Sequence, residues 1–141
     1  MLFRSVESYP HELSGGQRQR VMIAIALSTY PDLLIADEPT TALDVTIQAE
    51  IMNLLLELCE SQNMGLILIT HDIGVVSEVT EKIAVMYAGR IVEEGPTRSI
   101  IDNPEHPYTK GLIKALPGSQ LPGSMLNQIP GVMPTLTDIP L

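Results

Sequence analysis

Three places in the chain hold residues whose types and order could do chemistry. Asp37 and Glu38 directly follow the apolar run Leu33-Leu34-Ile35-Ala36. Two successive carboxylates at the C-terminal end of a buried strand lie where α/β sheets bind ligands. One of them could hold Mg2+, directly or through water, while the other polarises an attacking water. An ordinary solvated turn would use the same residues. Ser14-Gly15-Gly16 opens a stretch of good helix formers. Unused backbone N–H groups, a hydroxyl and the positive end of a helix dipole together make an anion site. The glycines would let phosphate oxygens approach the backbone, although the same three residues also suit a flexible helix cap. His71, with Asp72 beside it, follows a second apolar run. There an imidazole could hydrogen-bond a phosphate oxygen or a nucleophilic water, or act only as a surface or cap residue.

The elements that must position these groups can be read from periodicity and breakers. Residues 1–13 read as a loop ending at Tyr9-Pro10-His11-Glu12. Ser14 occupies a helix N-cap position, and Val21, Met22, Ile25 and Ala26 supply an apolar stripe at helical spacing until Tyr30-Pro31-Asp32 stops the helix. Leu33 to Ala36 fits a strand buried on both faces, as in a parallel sheet. A Pro39-Thr40-Thr41 turn leads to a second helix over 46–60, with Ile47, Ile51, Leu54, Leu55 and Leu58 on one face. Asn63-Met64-Gly65 breaks it, and residues 66–70 form the next buried strand. Asp72 to Val79 reads as a short helix and Lys82 to Tyr87 as a third strand, turned at Ala88-Gly89 into Arg90 to Glu93. Short helices follow at 97–102 and 109–116, separated by Pro104 and Pro107. From Pro117 onward, closely spaced prolines and glycines predict a loosely held, extended tail. Alternating helices and buried strands place residues 14–95 in the α/β class, with the remainder an appendage.

Composition bounds the function. At 141 residues the chain can bury one real core. A net charge of −9, with only Arg18 and Arg20 close together, argues against a nucleic-acid surface, which needs clustered Lys and Arg. The single cysteine, Cys59, excludes an intramolecular disulfide and a multi-cysteine metal site. Set among Leu55, Leu56 and Leu58, it reads as a buried structural thiol. There is no secretory pattern at the start, and the longest apolar runs fall far below the roughly 20 residues that span a bilayer. The expectation is a cytosolic or peripheral protein that meets a membrane only through a partner.

The order Leu13-Ser14-Gly15-Gly16-Gln17, Asp37-Glu38, Ala42-Leu43-Asp44, His71 is similar to that of the ABC transporter ATPases. The resemblance implies an α/β fold, the C-terminal part of a P-loop NTPase of the ABC nucleotide-binding type. It implies that Ser14, Gly15, Gly16 and Gln17 contact the γ-phosphate of ATP held by an opposite subunit, with Asp44 the D-loop aspartate. Asp37 would serve Mg2+, Glu38 would be the general base and His71 the switch histidine. Tyr9-Pro10-His11, Arg18 to Ala24, Pro39 to Gln48 and Val85 to Arg90 narrow the resemblance to oligopeptide/dipeptide importers. So do His106-Pro107-Tyr108-Thr109-Lys110-Gly111-Leu112 and Ile129-Pro130-Gly131, which resemble that group's C-terminal extension. The implied division is a partial ATPase core over 1–95 and a Pro/Gly-rich extension over 96–141. The implied partners are a second ABC ATPase subunit and membrane-spanning permease subunits, with no nucleic acid. The implied place is the cytoplasmic face of the plasma membrane, held peripherally.

Three departures qualify the expectation. The family grips ATP with Gly-x-x-x-x-Gly-Lys-Ser/Thr, yet Lys82, Lys110 and Lys114 follow Glu81, Thr109 and Ile113, so the sequence has no Gly-Lys pair. The Q-loop is missing too, so the chain is expected to begin mid-domain and to be inactive by itself. Cysteines that ligate an iron–sulfur cluster in some relatives are lacking, and Cys59 alone cannot hold one, so no iron is expected. Alternative readings are an inactive remnant acting at most as an interaction module, and a DNA-repair ATPase, which the acidic charge and the peptide-importer extension both oppose.

Overall fold

The computed structural model describes residues 8–115, and these fall into two compact units that part between His71 and Asp72. The predicted tail beyond Pro117 and the first part of the predicted N-terminal loop lie outside the described residues. No helix among those described is long and apolar enough to cross a membrane.

The first unit opens with a short 3-10 turn, Pro10–Glu12, and then α1 (Gly15–Leu27), capped by Ser14 as expected. A βαβ unit follows: β1 (Leu33–Asp37), α2 (Val45–Ser61) and β2 (Gly65–Ile69). β1 and β2 run parallel in direct register, Leu33 opposite Gly65 through Asp37 opposite Ile69. Parallel strands need such a crossover, and a helix is the usual one. The buried apolar residues of this unit are Ile23, Leu34, Ala36, Ile51, Met52, Leu55, Cys59 and Met64. Cys59 is the buried thiol foreseen, and burial pushes its pKa up.

Two expectations fail here for one reason. The strands are not buried on both faces: Leu34 and Ala36 are covered, while Leu33 (48%), Ile35 (60%), Ile67 (47%) and Ile69 (48%) stay exposed. Helix packing covers a single face of this two-stranded sheet, so only every second residue is buried. In α1 the stripe of Val21, Met22 and Ile25 is likewise exposed, and Ile23 is the buried residue. α1 turns toward α2 the row through Gly16, Arg20 and Ile23 instead. Gly16 meets Ile47, and Arg20 pairs with Glu50 at 2.8 Å.

The turn from α2 into β2 is closed by hydrogen bonds Met64 N–H to Cys59 O (2.8 Å) and Asn63 N–H to Glu60 O (3.2 Å). Asn63 sits at φ 52°. This is the Schellman arrangement, with asparagine at the left-handed position that glycine usually takes.

The second unit contains α3 (Ile73–Val79), the hairpin β3 (Lys82–Tyr87) and β4 (Arg90–Pro96), then α4 (Thr97–Asp102) and α5 (Pro107–Lys114). β3 pairs antiparallel with β4 in a separate sheet, with an irregularity at Val85/Met86. Ala88 (φ 47°) and Gly89 (φ 77°) make the two-residue turn, a geometry whose twist matches the flanking strands. α5 begins at Pro107 rather than 109. His106 is its N-cap, with Nδ1 accepting from Tyr108 N–H at 3.1 Å. Proline is at home at the first helical position because its missing N–H has no helical partner there.

Candidate functional site

All the residues expected to do chemistry lie in the first unit. β1 delivers Asp37 at its C-terminal end, and β2 delivers His71 two residues past its own. The parallel register puts both strand ends on the same side. The backbone then turns sharply. Glu38 adopts φ 48°, its N–H donates to Ile69 O (2.8 Å), and Thr41 N–H returns to Glu38 O (3.2 Å). Ala42 is also left-handed, at φ 63°. Each such residue with a side chain costs roughly 1–2 kcal/mol, so packing and hydrogen bonds must over-determine this loop. Strain of this kind clusters at functional sites.

Both oxygens of the Glu38 carboxylate are engaged. Oε1 lies 2.7 Å from His71 Nδ1, and Oε2 accepts from the Thr41 hydroxyl at 2.7 Å. The hydrogen bond from His71, then that from Thr41, hold the Glu38 carboxyl below the usual carboxylate range. The group is therefore ionised at neutral pH. A carboxylate offers about four lone-pair directions, so two remain after these contacts.

The segment expected to bind an anion starts α1 with the Ser14 cap foreseen, and Gln17 makes the cap reciprocal. Ser14 Oγ accepts from Gln17 N–H (3.3 Å) while Gln17 Oε1 accepts from Ser14 N–H (2.9 Å). This is a reciprocal capping box, and the Ser-x-x-Gln spacing already carried its signature. The Ser14 hydroxyl still has its own proton to donate. The helix geometry leaves the Gly15 and Gly16 N–H groups without intrahelical partners. A phosphate fits this chemistry.

The two glycines have a second reason to be there. A Cβ on Gly15 would stand 2.8 Å from Leu43 Cδ2, and one on Gly16 would stand 2.8 Å from Ile47 Cγ2. They let the start of α1 press against the Ala42-Leu43-Asp44 segment and the first turn of α2. Asp44 caps that turn, its Oδ1 accepting from Ile47 N–H at 3.0 Å. A contact between elements this far apart in sequence leaves no local signal.

Asp37 is exposed at its strand end. Among the described residues no three His, Cys, Asp or Glu groups gather as a metal cage. A single carboxylate nonetheless suits Mg2+, which keeps several waters and takes one or two protein oxygens.

Glu38 and His71 thus meet, joined by Thr41, which was not among the expected site residues, while Asp37 stands next to Glu38 at the strand end with its side chain exposed. Gly15 and Gly16 lie against Leu43 and Ile47, on either side of Asp44 in sequence, so the start of α1 is tied to the first group through residues 38–44.

Known proteins match both parts of the chain. Residues 2–41 match the family described as ABC transporter. Residues 92–141 match the oligopeptide/dipeptide transporter C-terminal region. The oligopeptide transport ATP-binding protein OppD of Lactococcus lactis subsp. cremoris is 55% identical over 136 residues, 96% of this chain and 40% of that protein. The dipeptide transport ATP-binding protein DppD of Escherichia coli is 56% identical over 135 residues, 96% of this chain and 41% of that one. The chain thus spans about 40% of the length of these curated relatives. Among solved structures, the dimer of a bacterial ABC transporter cassette superposes with TM-score 0.59 and 40% identity, covering 67% of this chain and 40% of that one. The same cassette is known in a post-hydrolysis state bound to ADP and Pi. The cassette cbiO1 from Clostridium perfringens, part of an ABC transporter complex, gives TM-score 0.62 at 38% identity, over 67% of this chain and 38% of that one.

Proposed function

Because the chain belongs to the ABC transporter ATP-binding proteins of the oligopeptide/dipeptide type, we propose that it supplies the catalytic-carboxylate and signature portion of an ATPase that drives peptide import. The observation that carries this reading is the Glu38 carboxylate, held between His71 and Thr41 at the ends of two parallel strands.

In the proposed mechanism Glu38 accepts a hydrogen bond from the attacking water and orients it. Its lowered pKa makes it a weak base, yet phosphoryl transfer passes through a loose transition state in which positioning outweighs proton abstraction. His71 fixes the carboxylate from the neighbouring strand. The Ser14 hydroxyl and the Gly15 and Gly16 N–H groups face the terminal phosphate of ATP held by a second ATPase subunit, with Asp44 and Gln17 shaping that edge. Asp37 would hold Mg2+, whose chemistry is to neutralise phosphate charge. Residues 1–95 then act as the partial ATPase core and 96–141 as the peptide-importer extension. The assembly works with membrane-spanning permease subunits, peripherally at the cytoplasmic face of the membrane.

The test supplies the chain with a cassette portion carrying Gly-x-x-x-x-Gly-Lys-Ser/Thr and measures Mg2+-dependent ATP hydrolysis. Turnover should require both pieces and drop by roughly 10²- to 10⁴-fold in Glu38→Gln, the range expected for a positioned general base. Equal turnover in Glu38→Gln would refute the assignment.

A second reading, an interaction module without catalysis, is favoured by the exposed aliphatic row Leu33, Ile35, Ile67 and Ile69. Under that reading the chain would bind the complementary portion and Glu38→Gln would change nothing.

A further inference from the structure

We propose that Thr41 is the positioning residue of this site: its hydroxyl fixes the plane of the Glu38 carboxylate so that the opposite oxygen meets His71. The inference rests on the reading of Glu38 given above, and it assigns Thr41 a task that the family resemblance did not.

The geometry is that of a clip. A carboxylate held by one donor still turns about its last torsion, which is broad and roughly two-fold. Here two donors approach from different parts of the chain. His71 reaches Oε1 from beyond β2, 33 residues away in sequence, at 2.7 Å. Thr41 reaches Oε2 from three residues away, also at 2.7 Å. The Thr41 backbone is anchored to the same residue, because its N–H donates to Glu38 O at 3.2 Å. Two bonds between residues 38 and 41 close one turn, with the intervening Pro39 buried and its φ fixed by the ring. The hydroxyl therefore has little freedom to leave.

This arrangement also answers a problem of the local backbone. Glu38 is left-handed at φ 48°, a conformation that any Cβ disfavours. From that start, the carboxylate needs a donor close in sequence to hold it toward His71 rather than let it swing into water. Threonine and serine offer a short hydroxyl at the right reach. Valine, of the same shape, offers none.

The test reads the Glu38–His71 pair directly in the 141-residue chain, by the 15N shift of His71 Nδ1 and the 13C shift of the Glu38 carboxylate at pH 7. Glu38→Ala, which removes the acceptor altogether, sets the signal of a disrupted pair. Thr41→Val should move the His71 Nδ1 signal most of the way to that value, leaving amide signals of α2 and β2 in place. Thr41→Ser should keep both signals at their wild-type positions. Thr41→Ala repeats the loss without the bulk of valine. If Val and Ala leave the pair unshifted, or if Ser disturbs it as much as Val, the proposal is wrong. No nucleotide enters the measurement, so the outcome for Thr41 is independent of whether the assembled cassette turns over ATP.

Discussion

Gly16 shows how a residue chosen for one reason serves another. The sequence suggested that it leaves room for phosphate, but the structure shows it also leaves room for Ile47. Replacing glycine by alanine within a helix gains up to about 1 kcal/mol of propensity, less in a first turn. Against this stands a contact of 2.8 Å to a methyl on a β-branched carbon, which is stiff at χ1. Overpacking of this kind costs about 1–3 kcal/mol, so the clash outweighs the gain. Gly16→Ala should lower the thermal midpoint of the chain even without nucleotide. Gly15→Ala should do so less, because Leu43 Cδ2 is the far end of a flexible side chain. An unchanged midpoint for both would mean the α1–α2 approach is looser than described. Asp44 has a comparable double duty, as cap of α2 and as the expected nucleotide contact.

At the scale of elements, ends and tethers matter more than interiors. Asn63 terminates α2 in the left-handed conformation at φ 52°. Asn63→Ala should destabilise by about 1 kcal/mol and Asn63→Gly should not, checked by urea unfolding of the two variants side by side. In the second unit Glu93 of β4 holds the entry to α5. Its carboxylate accepts from Glu105 N–H (2.7 Å) and His106 N–H (3.0 Å). The Glu105 N–H foremost holds its pKa below the ordinary 4.5. Tyr108, one residue into the helix, packs against Tyr87 with ring centroids 4.6 Å apart. A depressed carboxyl pKa contributes stability above the unfolded value that is lost as pH falls through the folded one. The α5 tether should therefore be intact at about pH 5 and above and weaken below the ordinary value of 4.5. Amide shifts of Glu105 and His106 should follow that single transition and be absent in Glu93→Gln. A transition on the alkaline side of that ordinary value would contradict the direction of the shift.

For the whole molecule, the exposed face of β1 and β2 is the dominant fact. Parallel sheets are ordinarily covered on both faces, and here Ile35 is 60% exposed on the open side. The lack of a Gly-Lys pair in these 141 residues leaves the phosphates of ATP without their usual lysine. The 141-residue chain by itself should therefore show no Mg2+-dependent ATP hydrolysis above background, measured by phosphate release. Turnover at a transporter's ordinary rate would overturn this.

Much of the fold is legible in the sequence. The periodicity of 46–60, the apolar runs and the breakers at Tyr30-Pro31 and Asn63-Met64-Gly65 specify helix and strand through local preference alone. Ser14 as a cap follows from its hydroxyl and position, and the α/β class follows from alternation. Pairing between Glu38 and His71 does not follow, because it depends on which strand β1 takes as neighbour and in what register. The same holds for the face that α1 buries. Val21, Met22 and Ile25 are as apolar as Ile23, and only the position of α2 selects between the two rows. Sequence by itself determined the types of residue at the site and the elements that carry them, since both are set within a few residues. The tertiary structure alone decided that Thr41 and His71 grip one carboxylate from two sides and that two glycines admit Leu43 and Ile47. The His71, Leu43 and Ile47 contacts join segments whose separation along the chain carries no local signal. The three-residue reach of Thr41 acquires its role only once His71 holds the other oxygen.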